Sequence, residues 1–307
     1  MPAVNGFQLT EGDVKIFMSL FEHRFATINH LGAITNRPHK RLHRRILKLV
    51  KRKYLSRIVL PTQKHIYTLG RAAIPLLVER GTAPKDFIGA RLRHQELKEL
   101  FLNHAMMIVD VHTALTLASR KSHIKLVAWK EGQELFDRVK IREQGRGFLL
   151  PVRPDAFFTL EDASRPPGKN RVHFMLEADR STTTHERFLK KIQAYWHYFQ
   201  QGLHTKKYGI ATFRVATVTI TDARAANLCA AAETILLTQA RKFYLFTSHT
   251  QFSLSNPLSI LEKIFITPRD RGTARYPLIE QAQSLQPPRK VALTEIPVPT
   301  TSTAKTQ

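Results

Sequence analysis

The stretch RPHKRLHRRILKLVKRKYLSRIVL, residues 37–60, decides how the N-terminal part of the chain is read. Between Arg37 and Arg57 it holds ten Lys or Arg residues and no Asp or Glu. Leu42, Ile46, Leu49 and Val50 nevertheless recur at helical spacing. Residues 39–53 therefore predict an amphipathic helix with one apolar stripe and a basic outer face, opened by Pro38 in its first turn. Residues 54–60 then alternate as a strand, Pro61-Thr62-Gln63-Lys64 turns, and residues 65–69 return as its hairpin partner. Upstream, residues 10–25 place Val14, Phe17, Met18 and Phe21 on one helical face, and residues 26–34 carry a shorter stripe of Ile28, Leu31 and Ile34. Three helices and a hairpin make a winged helix-turn-helix, assigned to residues 8–81.

The whole chain is as basic as this stretch. Its 307 residues hold 48 Lys and Arg against 24 Asp and Glu, a net charge of +24 that far exceeds what solubility requires. A polyanionic partner follows, and double-stranded DNA is the leading one, since each cation set on a phosphate releases counterions. An anionic membrane is the rival, but no basic amphipathic helix flanks a terminus, and no apolar stretch reads as approaching a bilayer span. An RNA partner would need aromatics exposed for stacking, whereas the aromatics here fall mostly in apolar stripes. The single Cys229 excludes an internal disulfide and fits a reducing, cytoplasmic setting; no signal-peptide pattern opens the chain. A homodimer is left open.

A helix in the major groove turns its N-terminal residues to base edges and its flanks to phosphates. That assigns DNA contact to Arg37, His39, Lys40, Arg41, His43, Arg44, Arg45 and Lys48, and to Lys64 at the wing tip. The competing reading of such a run is a solvated helix face or a protein-docking module.

Residues 71–80 predict a further helix, and the breaker-rich Thr82-Ala83-Pro84-Lys85-Asp86 marks a linker, residues 82–94. Residues 95–280 then read as a second, α/β (α+β) domain with a central mixed sheet. It opens with a long helix over 95–119, in whose apolar stripe His104 reads as a core histidine. Strands are expected at 124–130, 156–160, 172–177 and 210–220, with helices at 185–201 and 224–242 and a short strand at 243–247. Residues 281–307, rich in Pro, Thr and Gln, read as a disordered tail.

Carboxylates cluster on two of those strands. Asp155 begins one, and Glu177 and Asp179, alternate residues of an extended chain, share one face of the next. An oxygen-only set suits Mg²⁺, with Asp155 and Glu177 as metal ligands. Phosphodiester cleavage uses such a metal together with a nearby cation. On the following helix Lys191, Tyr195 and Tyr198 fall on one face, so Lys191 completes a catalytic set of Asp155, Glu177, Asp179 and Lys191. Walker, zinc-protease and nucleophile-elbow motifs are absent, as is the paired-histidine metal motif of relaxases.

Pro154-Asp155, Glu177-Ala178-Asp179-Arg180-Ser181-Thr182 and Lys191-Ile192-Gln193-Ala194-Tyr195 together resemble the motifs of the replication-relaxation family of plasmid and bacterial proteins. Residues 103–111 and 219–224 also look like that family, and the likeness covers roughly residues 10–265. It implies a winged helix ahead of a nuclease-like domain, acting in plasmid replication or maintenance. The arrangement is similar in turn to the PD-(D/E)xK nuclease superfamily, with one departure: Asp179 stands where the superfamily has its lysine. Lys190 or Lys191 would substitute from the neighbouring helix, with Glu96 or Glu99 completing the metal shell. The alternative is a non-enzymatic DNA-binding regulator or adaptor, its nuclease-like domain inactive and serving dimerisation or DNA wrapping.

Overall fold

The computed structural model describes residues 7–60, 65–82, 84–86, 99–143, 146–181 and 184–279. Lys64, Glu96, most of the expected linker and the whole of the expected tail lie outside the described residues.

The N-terminal unit is three helices and a hairpin. Helix α1 (Glu11–His23) starts in a capping box: the backbone N–H and hydroxyl of Thr10 both donate to Asp13, at 2.8 and 2.9 Å. Helix α2 (Ile28–Thr35) is capped by Thr27 and ends at Asn36 in the left-handed conformation. Helix α3 (His39–Lys51) follows Pro38 and buries Leu42, Ile46 and Leu49 against Ile16, Phe17, Leu20 and Leu31. Strands β1 (Leu55–Val59) and β2 (His65–Leu69) pair antiparallel, and Ala26 adds a bridge to Tyr67. Beyond them, Gly70 passes so close to Lys53 that a Cβ would lie 2.2 Å from its carbonyl oxygen, so no side chain fits there. The short α4 (Ile74–Glu79) follows.

Helix α5 (Glu99–Lys121) joins this unit to the sheet. Its length and composition would suit a membrane span, contrary to the reading of the sequence, but its apolar residues are used in packing. Met107, Ile108, Val111, Ala114, Leu115 and Ala118 lie on the sheet, while Leu102 and Val109 pack with Phe25, Leu60 and Ile66 of the N-terminal unit. His30 to Asp110 (2.7 Å) and Arg120 to the Ile34 carbonyl (2.7 Å) tie the same surfaces.

Among the described residues the sheet has five strands: β3 (Ile124–Lys130), β6 (Ala156–Asp162), β7 (Arg171–Asp179), β8 (Arg214–Thr219) and β9 (Tyr244–Ser248), in that spatial order. The first three are antiparallel; β7, β8 and β9 run parallel. Helix α6 (His185–Gln200) crosses from β7 to β8, and α8 (Asp222–Ile235) from β8 towards β9, after a short α7 (Leu203–Tyr208) precedes β8. These helices cover the face opposite α5, so the sheet is buried on both sides, as parallel strands require. The fold is α/β with a central mixed sheet, as expected.

Two differences stand out. The helix expected over 224–242 breaks at Leu236, which is extended, and α9 (Thr238–Arg241) follows as a separate turn. A second hairpin, β4 (Asp137–Glu143) with β5 (Arg146–Val152), lies between β3 and β6, where no element was expected.

The Asp13 side chain is fully buried, and burial alone would raise its pKa. Hydrogen bonds from Arg45 and Thr10 outweigh this and hold the carboxyl below its usual range. Arg45→Ala would strand that carboxylate, so a loss of about 3 kcal/mol in urea unfolding at pH 7 is expected. A carboxyl with a depressed folded pKa contributes stability above its unfolded pKa and loses it as pH falls through the folded one. The gap between wild type and variant should therefore close in acid, and a gap that persists at pH 2 would refute the assignment.

Candidate nucleic-acid interface and carboxylate centre

Helix α3 divides its cations between two directions. His39, Lys40, Arg41, Arg44 and Lys48 are exposed, with His43 half-buried, while Leu42, Ile46 and Leu49 hold the opposite side in the core. His39 and His43 stack one turn apart, ring centroids 6.3 Å. They line a groove of about 630 Å³ with His30, His65, Arg180 and His249, so the N-terminal end of α3 opens towards the edge of the sheet where β7 ends.

Arg37 and Arg45 face the other way. Arg45 bonds Asp13 (2.5 and 2.8 Å) and the Gln8 carbonyl (2.7 Å), and its guanidinium lies over the Phe7 ring at 4.4 Å. Arg37 is folded over Gly12, close enough that a Cβ there would clash with it. Sequence shows charge and not direction, so it groups both residues with the DNA contacts; here Arg45 is bonded to Asp13 and Arg37 lies against Gly12.

The carboxylate centre forms where β6 begins beside the end of β7. Asp155 lies one residue ahead of β6, its N–H bonded to the Leu176 carbonyl (3.0 Å). One carboxylate oxygen accepts from the Ala178 N–H at 2.8 Å and the other from His104 Nε2 at 2.9 Å. His104 comes from α5, on one side of the sheet, and Glu177 points to the other, where α6 lies. Lys191 Nζ donates to Glu177 Oε2 at 2.5 Å, and the Tyr195 hydroxyl donates to Oε1. Lys191 and Tyr195 are one helical turn apart, which is what aims both at one carboxylate. A third α6 residue, Tyr198, turns to Asp137 of β4 (2.9 Å).

Charges in this cluster govern one another. Burial pushes the Glu177 carboxyl up to about 7; Lys191 opposes that shift, while the neighbouring Asp155 charge adds to it. Burial would lower the Lys191 pKa, but Glu177 and Asp155 together raise it. The bond to Asp155 raises His104, and Glu177 and Asp155 favour its charged form further. Two carboxyl groups, a lysine and a histidine whose charged form Asp155 favours therefore share one partly enclosed spot.

Three of the four residues in the expected catalytic set converge: Asp155, Glu177 and Lys191. Asp179 does not join them. It is buried against Arg224 of α8, with contacts of 2.8 and 3.4 Å, and accepts the Ser181 N–H at 3.2 Å. Lys190 faces solvent and pairs with Glu186, and Glu99 is exposed at the start of α5. His104 corrects the sequence reading: it is about a third exposed and bonds Asp155, so it belongs to the centre and not to the core. Its only sequence signal is the polar pair Asn103-His104 within an apolar stripe. His104 and Asp155 also line a groove of about 1100 Å³ between α1, α5 and β3.

Among the described residues no group of three or more His, Cys, Asp or Glu side chains is set to hold a metal ion. Asp155 and Glu177 are two adjoining hard-oxygen donors whose mutual repulsion a cation would relieve. Mg²⁺ commonly takes one or two carboxylates and completes its shell with water and substrate phosphate, and this pair would suit it by exchanging bonds now made to His104, Lys191 and Tyr195.

The replication-relaxation family model matches residues 17–213, so most of the N-terminal unit, the hairpins, the carboxylate strands and α6 fall within it. The chain belongs to that family, and the membership suggests a role in replication. Neither the curated proteins nor the solved structures give a significant match.

Lys191→Met would leave the buried Glu177 carboxyl without its cation. A loss of about 2 kcal/mol is expected at pH 8, below the figure for a fully buried pair because Lys191 is 36% exposed. An acid whose folded pKa lies above its unfolded value loses stability as pH rises through that interval, so the defect should be smaller at pH 5. Equal losses at both values, measured by urea unfolding, would contradict the pairing.

Proposed function

We propose that this replication-relaxation protein binds duplex DNA through α3 and the β1–β2 hairpin, and that its Asp155–Glu177–Lys191 centre cleaves or nicks the bound strand. One observation carries the reading: Asp155, Glu177 and Lys191 meet where Asp155 lines a groove of about 1100 Å³, on a chain that also presents the exposed basic face of α3. The order helix α5, three antiparallel strands, helix α6 and parallel strand also supports a nuclease-like plan.

Each residue has a role within its geometry. Exposed Lys40, Arg41, Arg44 and Lys48 neutralise phosphates and set the register, while the N-terminal turn of α3 meets base edges. Asp155 and Glu177 would hold Mg²⁺, which supplies charge neutralisation at the phosphate and an acidified water. Tyr195 fixes the Glu177 carboxylate, and Lys191 offers an ammonium to the charge that develops on the phosphate. The bond to Asp155 raises the His104 pKa and so favours the imidazolium, the form that can give a proton to the departing oxygen.

A second reading is favoured by a different observation. Both Glu177 oxygens already accept bonds from Lys191 and Tyr195, and both Asp155 oxygens from His104 and Ala178. A cluster so completely paired also serves as structure, which leaves a non-enzymatic DNA-binding adaptor.

Incubation of supercoiled plasmid with the protein and Mg²⁺ or Mn²⁺ separates the two. The first reading expects open-circle product from wild type and at least 100-fold less, roughly the size of an essential catalytic term, from Asp155→Ala and Glu177→Ala. Identical behaviour of the three proteins would leave only binding. Arg41→Ala/Arg44→Ala should weaken duplex affinity and reduce the salt slope by about 2; an unchanged slope would remove α3 as the contact surface.

A further inference from the structure

The β4–β5 hairpin has no part in the centre described above, yet it stands at its edge and carries a basic face of its own. We propose that the outer face of this hairpin is a second DNA-backbone contact, taking the phosphates of the duplex where it leaves the Asp155 groove. The proposal rests on the DNA-binding reading and extends it to a surface outside α3.

Strand alternation builds that face. Val139 and Ile141 point inward and are buried in the core shared with α6, and Asp137 on the same side receives the Tyr198 hydroxyl. Arg138, Lys140 and Arg142 therefore point outward, and all three are exposed. None forms an ion pair among the described residues. Opposite them on β5 stand Pro151, Leu149 and Gly147, none of which brings a charge. A row of three cations thus rises from a face whose paired β5 positions carry no charge.

Spacing and rigidity fit a phosphate backbone. Alternate strand residues recur about every 6.8 Å, close to two steps of the roughly 3.4 Å axial rise per phosphate along one DNA strand. The hairpin is fixed to the helices behind it: Gln201 donates to the Lys140 carbonyl at 2.7 Å, and Lys207 to the Phe136 carbonyl at 2.6 Å. Its position is continuous with the carboxylate centre. Phe136, which leads into β4, and Arg153, which follows β5, both line the groove that holds His104 and Asp155, with the Arg153 guanidinium 5.3 Å from the Phe136 ring centroid. Exposed Leu149 on this face would also suit a protein contact, but a second copy of the chain would set three cations against three.

The test is the salt dependence of duplex binding by the full chain, read by fluorescence anisotropy. Three variants are compared with wild type: Arg138→Ala/Lys140→Ala/Arg142→Ala, the milder Arg138→Gln/Arg142→Gln, and Arg41→Ala/Arg44→Ala. At about 0.9 per phosphate contact, the hairpin triple variant should lower the slope of log K against log salt by about 2.7 and the double variant by about 1.8. Both should retain the wild-type circular dichroism and shorten the hydroxyl-radical footprint on one side only. An unchanged slope in the hairpin variants, with a lowered slope in the α3 variant, would overturn this proposal and leave the α3 reading intact. An unchanged slope in all three would overturn both. A change in sedimentation mass in place of a change in slope would assign the face to self-association and overturn the proposal.

Discussion

Helix α5 is buried on two sides, and that constraint sets the relation between every other part. One side packs Val111, Ala114, Leu115 and Ala118 onto the sheet, and the other packs Leu102 and Val109 under the N-terminal unit. Each such Val or Leu side chain withdrawn from water contributes about 1.5 to 3 kcal/mol, so a rigid seat for α3 is more stable than a hinged one. The His30–Asp110 and Arg120–Ile34 bonds then fix rotation about that seat. Because the same helix carries His104 to Asp155, the basic surface and the carboxylate centre are positioned by one element.

Within the centre, desolvation and charge compensation oppose each other. A lone buried carboxylate would be driven neutral, and Glu177 is part of the way there with its pKa near 7. Lys191 and His104 restore the balance from opposite faces of the sheet. Asp155 is the pivot, because it sits at the strand end where the two faces meet and its backbone is tied to Leu176 and its side chain to Ala178. That arrangement also explains why Asp179, only two residues beyond Glu177, has a separate partner: Arg224 at the N-terminal turn of α8 neutralises it before it can approach the others.

Much of this was legible in the sequence, and what was not has physical reasons. The three N-terminal helices could be read because each buries one face and leaves a period of 3.6, and the carboxylate strands because they are short apolar runs, buried on both faces, that end in turn residues. The β4–β5 hairpin hid because Pro151 interrupts it and Phe148-Leu149-Leu150 runs apolar without alternation, Leu149 being exposed on the outer face. The break between α8 and α9 is invisible in a run of good helix formers, since the extended Leu236 is set by tertiary packing. Spacing placed Lys191 and Tyr195 together, but it could not reveal that Arg45 serves Asp13, or that His104 leaves its apolar stripe for Asp155; both depend on contacts between residues 32 and 51 positions apart.

The central claim is that a duplex held by α3 runs past Asp155. Cys229, the chain's only cysteine, is buried, so a cysteine introduced by Arg153→Cys can be labelled alone with an iron chelate. Hydroxyl radicals generated there should cut bound duplex at one short, discrete position, and the cutting should vanish when Arg41 and Arg44 are replaced by Ala. Diffuse cleavage along the whole duplex, or none while binding persists, would contradict the account.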